Sequence, residues 1–255
     1  MRAVTRSITL IRDGFATTPG MDTAVARAML LGASRGSLTE SFRLYTPARI
    51  VAFGKRDTLE EGYPAAVAAT QAYGYLPIER LAGGRAAVFH EGTLAFNWVI
   101  PSDDPRGGIS ARFADLSELM VRAFRRLGIA ARIGEVEGEY CPGRWSVNIA
   151  GRVKVMGVGQ RLERRAAHIG GVVVVKGAAM INEVLEPVYR ALGLGWRPAA
   201  TGALEDSVPG ISLRDTADAI VAEMGTTAPI VEAGLDAATI DLARQHIDDH
   251  VPDML

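Results

Sequence analysis

Apolar and polar residues alternate along several stretches of the chain, and a period of two marks a strand with one face buried. Residues 7–11, 42–45, 50–53 and 78–81 read as strands on this pattern, the first closed by Asp13-Gly14 and the third by Gly54. Residues 86–90 and 93–100 read as a hairpin across Glu91-Gly92, and residues 155–162 and 168–175 as two further strands. The last of these holds four consecutive valines, a run that favours a strand covered on both faces. Helical spacing is clearest over 110–127, where Phe113, Leu116, Met120, Phe124 and Leu127 share a face and Gly128 supplies the stop. Met21, Val25, Ala28 and Met29 recur at helical spacing after Pro19-Gly20. Residues 64–73 are alanine-rich, with Pro64 suited to a first helical turn and Gly74 beyond the end. Residues 178–192, 213–224 and 236–247 complete the helices. From about residue 205 short helical patterns alternate with loop signals such as Pro209-Gly210, which reads as a C-terminal helical appendage (205–255) on a main domain (1–204). With many strands, several helices and no strict βαβ alternation, the fold class is α/β of the α+β kind.

Composition narrows the function. In 255 residues, 28 Lys and Arg face 29 Asp and Glu, so the formal net charge is −1, and no long run of like charge occurs. Nucleic acid and strongly charged membrane surfaces are therefore not expected as partners. A single cysteine makes no intrachain disulfide and fits a reducing compartment. The first residues lead into an alternating segment rather than an apolar signal core, and no apolar run approaches the roughly 20 residues of a membrane span. A cytoplasmic location is the expectation.

Two apparent motifs carry no chemistry. Gly32-Ala-Ser34-Arg-Gly36 has the spacing of a nucleophile elbow, but the elbow joins a strand to a helix and the preceding residues read as a helix. His90, His168, His246 and His250 lack cysteine or carboxylate partners at metal spacing, so no metal is expected.

The chemistry concentrates between Glu139 and Arg161. Cys141 stands before Pro142-Gly143, and two alternating runs follow, broken by Ala150-Gly151, the second with Lys154 among apolar neighbours. A thiol on a turn and an ammonium in an apolar strand are the parts of an acyl-transfer site, one attacking and the other steadying negative charge. With a two-residue turn at Ala150-Gly151, Val147 faces Lys154 and Trp145 faces Met156. Cys141 then lies roughly 20 Å along an extended strand from Val147. It meets Lys154 only if Pro142-Gly143 folds the chain back. Upstream, Gly83 and Gly84 follow a strand and let backbone approach a ligand, with Arg80 and Arg85 flanking them as candidates to grip an anion. His90 is a candidate ligand contact or a strand-end histidine bonded to backbone. Arg161, Arg164 and Arg165 read as a solvated hairpin tip, or as a surface greeting an acidic carrier domain.

The Arg-x-x-Gly-Gly segment, the Gly-x-Leu strand and the hairpin Gly-Arg-Val-Lys-Val-Met-Gly resemble the lipoate–protein ligase and octanoyltransferase family, which shares its fold with biotin–protein ligases. The resemblance runs from about Met21 through Arg43-Leu-Tyr and Val51-Ala-Phe-Gly54 to about Leu192. It implies a class II biotin/lipoyl ligase-like mixed sheet flanked by helices. It also implies that Gly83 and Gly84 pack on an acyl chain, that Lys154 contacts the acyl carbonyl, and that Gly157 matches the glycine after that lysine. Glu139-Tyr-Cys-Pro-Gly143 looks like the cysteine segment of octanoyl amidotransferases, which pass octanoyl from the glycine-cleavage H protein to other lipoyl domains through a thioester. Arg85 stands where ATP-dependent ligases carry a third glycine, and the adenylate loop of biotin ligases is missing. The implied partners are lipoyl-carrier domains (the H protein and dehydrogenase acyltransferase subunits) and an octanoyl or lipoyl group. Cys141 and Lys154 are the implied catalytic pair, and no cofactor is needed for thioester transfer. An ATP-dependent ligase using ATP and Mg, and a carrier-binding protein without turnover, are the alternatives.

Overall fold

The most apolar strands lie where burial is greatest, at the middle of a mixed sheet. The computed structural model describes residues 6–253. Its strands are β1 (Ile8–Ile11), β2 (Ser41–Tyr45), β3 (Ile50–Phe53), β4 (Leu76–Glu79), β5 (Ala87–Phe89), β6 (Thr93–Pro101), β7 (Ala131–Ile133), β8 (Val147–Ile149), β9 (Val153–Glu163), β10 (Ala166–Val174) and β11 (Ile230–Glu232). The helices are α1 (Met21–Arg35), α2 (Tyr63–Ala72), α3 (Ile109–Arg126), α4 (Ala178–Ala191), α5 (Leu213–Met224) and α6 (Ala237–Arg244). Eight strands form one sheet in the order β11-β1-β2-β6-β10-β9-β8-β7, and three form a second in the order β4-β3-β5. Only the β11-β1-β2 edge of the large sheet is parallel.

Alternation along the central strands sorts side chains between two faces. Phe42, Leu44, Phe96, Trp98, Ile169 and Val173 point to one face and are buried with Leu116, Met120 and Phe124 of α3 and Ile220 and Met224 of α5. The helical stripe read in the sequence is thus the stripe that packs, and each such leucine or phenylalanine contributes roughly 1.5–3 kcal/mol on burial. The other face carries Arg43, Asn97, His168 and Gly170 and is covered by α1 and by the small sheet with its helices α2 and α4. Gly36 ends α1 in a left-handed conformation, the helix stop expected of the spurious nucleophile-elbow motif.

Three expectations are corrected. Residues 86–90 and 93–100 do not form a hairpin: β5 pairs with β3 in the small sheet, while β6 pairs with β2 and β10 in the large one. His90 to Thr93 turns the chain between sheets, with Thr93 Oγ1 donating to the His90 carbonyl at 2.7 Å. The strand read at 78–81 sits earlier, at Leu76–Glu79, leaving Arg80 and Leu81 in the loop. The segment after residue 204 shares the main core, since α5 packs against α3 and β11 extends the sheet beside β1. Among the described residues, no helix is long and apolar enough to cross a membrane.

Candidate acyl-transfer site

The β8–β9 hairpin turns at Ala150 and Gly151, both with positive φ (57° and 70°). Arg152 enters as an extra residue, so Asn148 rather than Val147 pairs with Lys154, and an irregularity between Val147 and Asn148 then sets Val147 against Met156. A strict two-residue loop misses this slip because the bulge is a backbone feature without a sequence mark.

Cys141 and Lys154 do come together, but not sulfur to ammonium. Cys141 adopts φ 42°, a left-handed conformation costly for a residue with a side chain. Two bonds hold it there: the Cys141 amide donates to the Tyr189 hydroxyl (2.8 Å), and Lys154 Nζ donates to the Cys141 carbonyl (2.7 Å). Tyr189 donates in turn to the Ala86 carbonyl (3.0 Å), so one phenol on α4 ties the thiol loop to the glycine loop. After Pro142, the Ser146 amide bonds the Gly143 carbonyl (2.9 Å), which folds the chain back toward β8.

Lys154 is 1% exposed. Its ammonium also donates to the Tyr140 carbonyl and to Glu139 Oε1, each at 3.0 Å, and stands 5.0 Å from the centroid of the Tyr140 ring. Glu139, itself buried, further accepts from the amides of Val136 (2.9 Å) and Gly143 (3.0 Å) and from Ser146 Oγ (2.6 Å). Glu139 is therefore the anchor of the 136–146 loop. Sequence reasoning quoted this residue without giving it a role, because nothing in its neighbours distinguishes a buried carboxylate from a solvated one.

The sulfur faces the other way. Cys141 Sγ accepts from Arg80 Nη2 at 3.3 Å and from the Arg85 amide at 3.2 Å. Burial alone pushes the thiol pKa up and is the largest single influence. The positive charges of Arg80 and then Lys154, with the two hydrogen bonds, outweigh it and leave the thiol below its ordinary value. Arg80, which also donates to the Arg85 carbonyl at 2.6 Å, is thus a partner of the thiol. The Arg85 guanidinium is engaged by Glu60 (2.7 Å) and Asp57 (3.1 Å), and it is the Arg85 backbone N–H that meets the sulfur.

Gly84 has φ +112°, and a Cβ there would collide with Arg80 Nη2 and stand 2.9 Å from Cys141 Sγ, so only glycine lets this loop lie against the thiol. Gly157 lies over the Lys154 stem, where a Cβ would come 3.2 Å from Cε. His90 is fully buried, accepts from the Gly92 amide at Nδ1 (3.0 Å) and lines neither cavity described below. The Arg164-Arg165 turn is exposed, and Arg165 pairs with Asp103 at 3.2 Å.

Arg80 lines one cavity and Cys141 another. A cleft of about 510 Å³ opens between Gly83-Gly84, the 141–146 loop and α3, with Cys141, Lys154, Phe113, Trp145 and Val158 on its walls. On the far side of the Arg80–Ala82 segment, a narrow slot of about 80 Å³ runs between the two sheets. Arg80, Phe89, Ile78 and Ala52 line it, as do Tyr45, Asn97, His168 and Gly170. His168 and Asn97 are thus site residues that the sequence left out, His168 having been weighed only as a metal ligand.

A thiol held beside a guanidinium on the wall of an open cleft is an arrangement suited to nucleophilic chemistry. The chain superimposes over 95% of its length on the solved lipoate-protein ligase A bound with ATP (TM-score 0.79, 20% identity, 95% of that chain). It also superimposes on the putative lipoate protein ligase Ta0514 from T. acidophilum with bound lipoic acid (TM-score 0.75, 20% identity, 96% of each chain). Those likenesses give the fold. The model of the lipoyl protein ligase A/B catalytic domain matches residues 19–224, and the chain belongs to that family. Curated relatives include the octanoyl-[GcvH]:protein N-octanoyltransferases of Exiguobacterium sibiricum (33% identity over 48% of this chain and 44% of that one) and Geobacillus kaustophilus (27% over 67% and 60%). The lipoyl-[GcvH]:protein N-lipoyltransferase of Listeria monocytogenes is 26% identical over 58% of this chain and 50% of that one. The chain spans about half the length of the curated relatives it matches.

Proposed function

We propose that this protein is an acyltransferase that moves an octanoyl or lipoyl group between lysines of lipoyl-carrier domains through a thioester on Cys141. The observation that carries this reading is the Cys141 thiol on the wall of the cleft, held below its ordinary pKa by the charges of Arg80 and then Lys154 and by hydrogen bonds from Arg80 and the Arg85 amide. Membership of the lipoyl ligase family and relatives named for octanoyl or lipoyl transfer from GcvH support the choice of acyl group and carrier.

The acyl chain lies in the slot with its carbonyl beside Arg80, and the carrier lysine reaches the sulfur through the cleft. The Cys141 thiolate attacks the carbonyl of the donor amide, forming the C–S bond. Negative charge that develops on oxygen is met by the Arg80 guanidinium, with Lys154 as a second nearby cation. The C–N bond then breaks and the donor lysine leaves as an amine, taking up the proton that the thiol gave up. The acceptor lysine, entering as a free amine, attacks the thioester, loses a proton and regenerates the thiolate. One amide is consumed and one is formed, so the exchange is close to balanced and needs no nucleotide. Gly83 and Gly84 admit the chain to the sulfur, and Lys154 with Glu139 keeps the thiol loop in its left-handed turn.

The test is incubation with an octanoylated glycine-cleavage H protein and an unmodified lipoyl domain, with mass spectrometry of all chains. An adduct of one octanoyl group on Cys141 and labelled product without ATP are expected, and Cys141→Ser abolishes both. Full transfer by the serine variant refutes the thioester. Product formed only from free acid and ATP identifies a ligase instead, and carrier binding without product identifies a non-catalytic protein.

A further inference from the structure

The stretch after residue 224 lies outside the family match, and no step of the proposed chemistry uses it. Its last turn nevertheless reaches the partner of the thiol. Arg80 follows β4, and the peptide that joins Glu79 to Arg80 is held at both ends. The Arg80 amide donates to the Phe53 carbonyl at 2.9 Å, and the Glu79 carbonyl is bonded by His250 Nδ1 at 2.8 Å. Leu81, on the other side of Arg80, packs in the cluster that α1 forms with Ile240, Ala243 and Ile247. The backbone on either side of Arg80 is thus fixed before its side chain reaches the Arg85 carbonyl and Cys141 Sγ.

The turn that carries His250 is itself anchored. Asp248–His250 form one turn of tight helix after α6, and Asp249 within it accepts from Arg27 of α1 (2.7 Å) and pairs with His246 (2.9 Å). A Cβ at Gly20, the residue before α1, would stand 3.1 Å from Val251 Cγ2 and 3.2 Å from the Ile247 carbonyl, so this turn lies close against the start of α1. His250 is 5% exposed and lines neither cavity. Its Nε2 is buried without a partner, and burial, the largest influence, pushes the ring below its ordinary pKa, so the imidazole is neutral near pH 7. A carbonyl only accepts, so the bond to Glu79 places the one ring proton on Nδ1.

We propose that His250 is a positioning residue for the thiol: by holding the Glu79–Arg80 peptide it sets where the Arg80 guanidinium stands beside Cys141. The inference rests on the acyl-transfer reading, in which that guanidinium favours the thiolate and meets the charge that develops on the acyl oxygen. Arg80 belongs to a loop, and an arginine has many rotamers to lose when it is ordered. Fixing its peptide plane removes part of that freedom before a substrate arrives. Geometry sets the scale, since a misplacement of about 1 Å caused far from the chemistry can cost about a hundredfold in rate.

The test compares His250→Asn, whose amide nitrogen takes the place of Nδ1, with His250→Leu, which fills similar space and donates nothing. Two readouts are taken on each full-length protein: the pH midpoint of iodoacetamide alkylation at Cys141, and kcat and KM of octanoyl transfer between carrier domains. His250→Leu should raise the midpoint, as Arg80→Gln does, and lower kcat by about 10- to 100-fold with little change in KM for the carrier. His250→Asn should bring both back toward wild type. A midpoint and kcat in His250→Leu equal to wild type refute the positioning role while acyl transfer stands. Equal losses in the two variants also refute it, because the shape of the turn rather than the bond to Glu79 is then the cause. If the wild type transfers no acyl group but the midpoints still follow the bond, acyl transfer fails and the positioning role stands. Nitrogen NMR of the wild type decides even if His250→Leu does not fold: a neutral ring protonated on Nδ1 is expected, and a proton on Nε2 alone refutes the bond.

Discussion

Removing the Arg80 charge tests whether that residue, rather than Lys154, activates the thiol. Two unit charges 3.3 Å apart, the Arg80–Cys141 separation, interact by about 5 kcal/mol at an effective dielectric near 20. The guanidinium charge is spread over three nitrogens and burial disfavours the thiolate, so Arg80→Gln should raise the thiol pKa by only part of that interaction. Below both values, each unit removes about nine-tenths of the remaining thiolate. The surviving thiolate is more nucleophilic, the logarithm of its rate constant rising by roughly half the change in pKa. The alkylation rate at fixed pH should therefore fall by about threefold for each unit that the pKa rises. The assay is iodoacetamide alkylation of the single cysteine as a function of pH, with Arg80→Lys, which keeps a charge on a shorter, non-planar group, expected in between. Lys154→Gln should move the midpoint less, because the Lys154 ammonium is spent on the Glu139 carboxylate and two carbonyls. An Arg80→Gln midpoint equal to wild type, or a Lys154→Gln shift larger than the Arg80→Gln shift, would refute the reasoning.

Other consequences follow from the same geometry. Glu139→Gln leaves the buried Lys154 ammonium without its counter-charge and should cost about 3–5 kcal/mol in urea unfolding, whereas Glu139→Gln with Lys154→Met should recover part of that loss. Tyr189→Phe removes the acceptor of the Cys141 amide and should cost about 1–3 kcal/mol; a variant as stable as wild type and equally reactive toward iodoacetamide would show that the left-handed turn needs no such tie. Gly84→Ala should slow alkylation sharply while the circular dichroism spectrum is kept, since the atoms nearest the new methyl are the side chains of Arg80 and Cys141. The thiol also links stability to pH. Its folded pKa lies below the ordinary 9.0, so its contribution is complete above the unfolded value and is lost as pH falls through the folded one. Urea midpoints measured across that interval should rise with pH in the wild type and rise less in Cys141→Ala.

Local pattern determined the elements of this protein because helix and strand periodicities are written in consecutive residues. The stripe Phe113, Leu116, Met120, Phe124 specified α3, and the valines at the end of β10 specified a buried central strand. The order of Arg80, Gly83-Gly84, Cys141-Pro142-Gly143 and Lys154 likewise carried the family likeness. What pattern could not carry is which strands share a sheet: β5 and β6 look like one hairpin and belong to two sheets. Nor does it carry the partner of each charged group. The Cys141 sulfur meets Arg80, 61 residues away, while Lys154 bonds the carbonyl behind it. Glu139 became an anchor and Asn97 with His168 part of the slot wall for the same reason. Burial, desolvation and pairing of charges are properties of neighbours in space, and the folded chain alone chooses those neighbours.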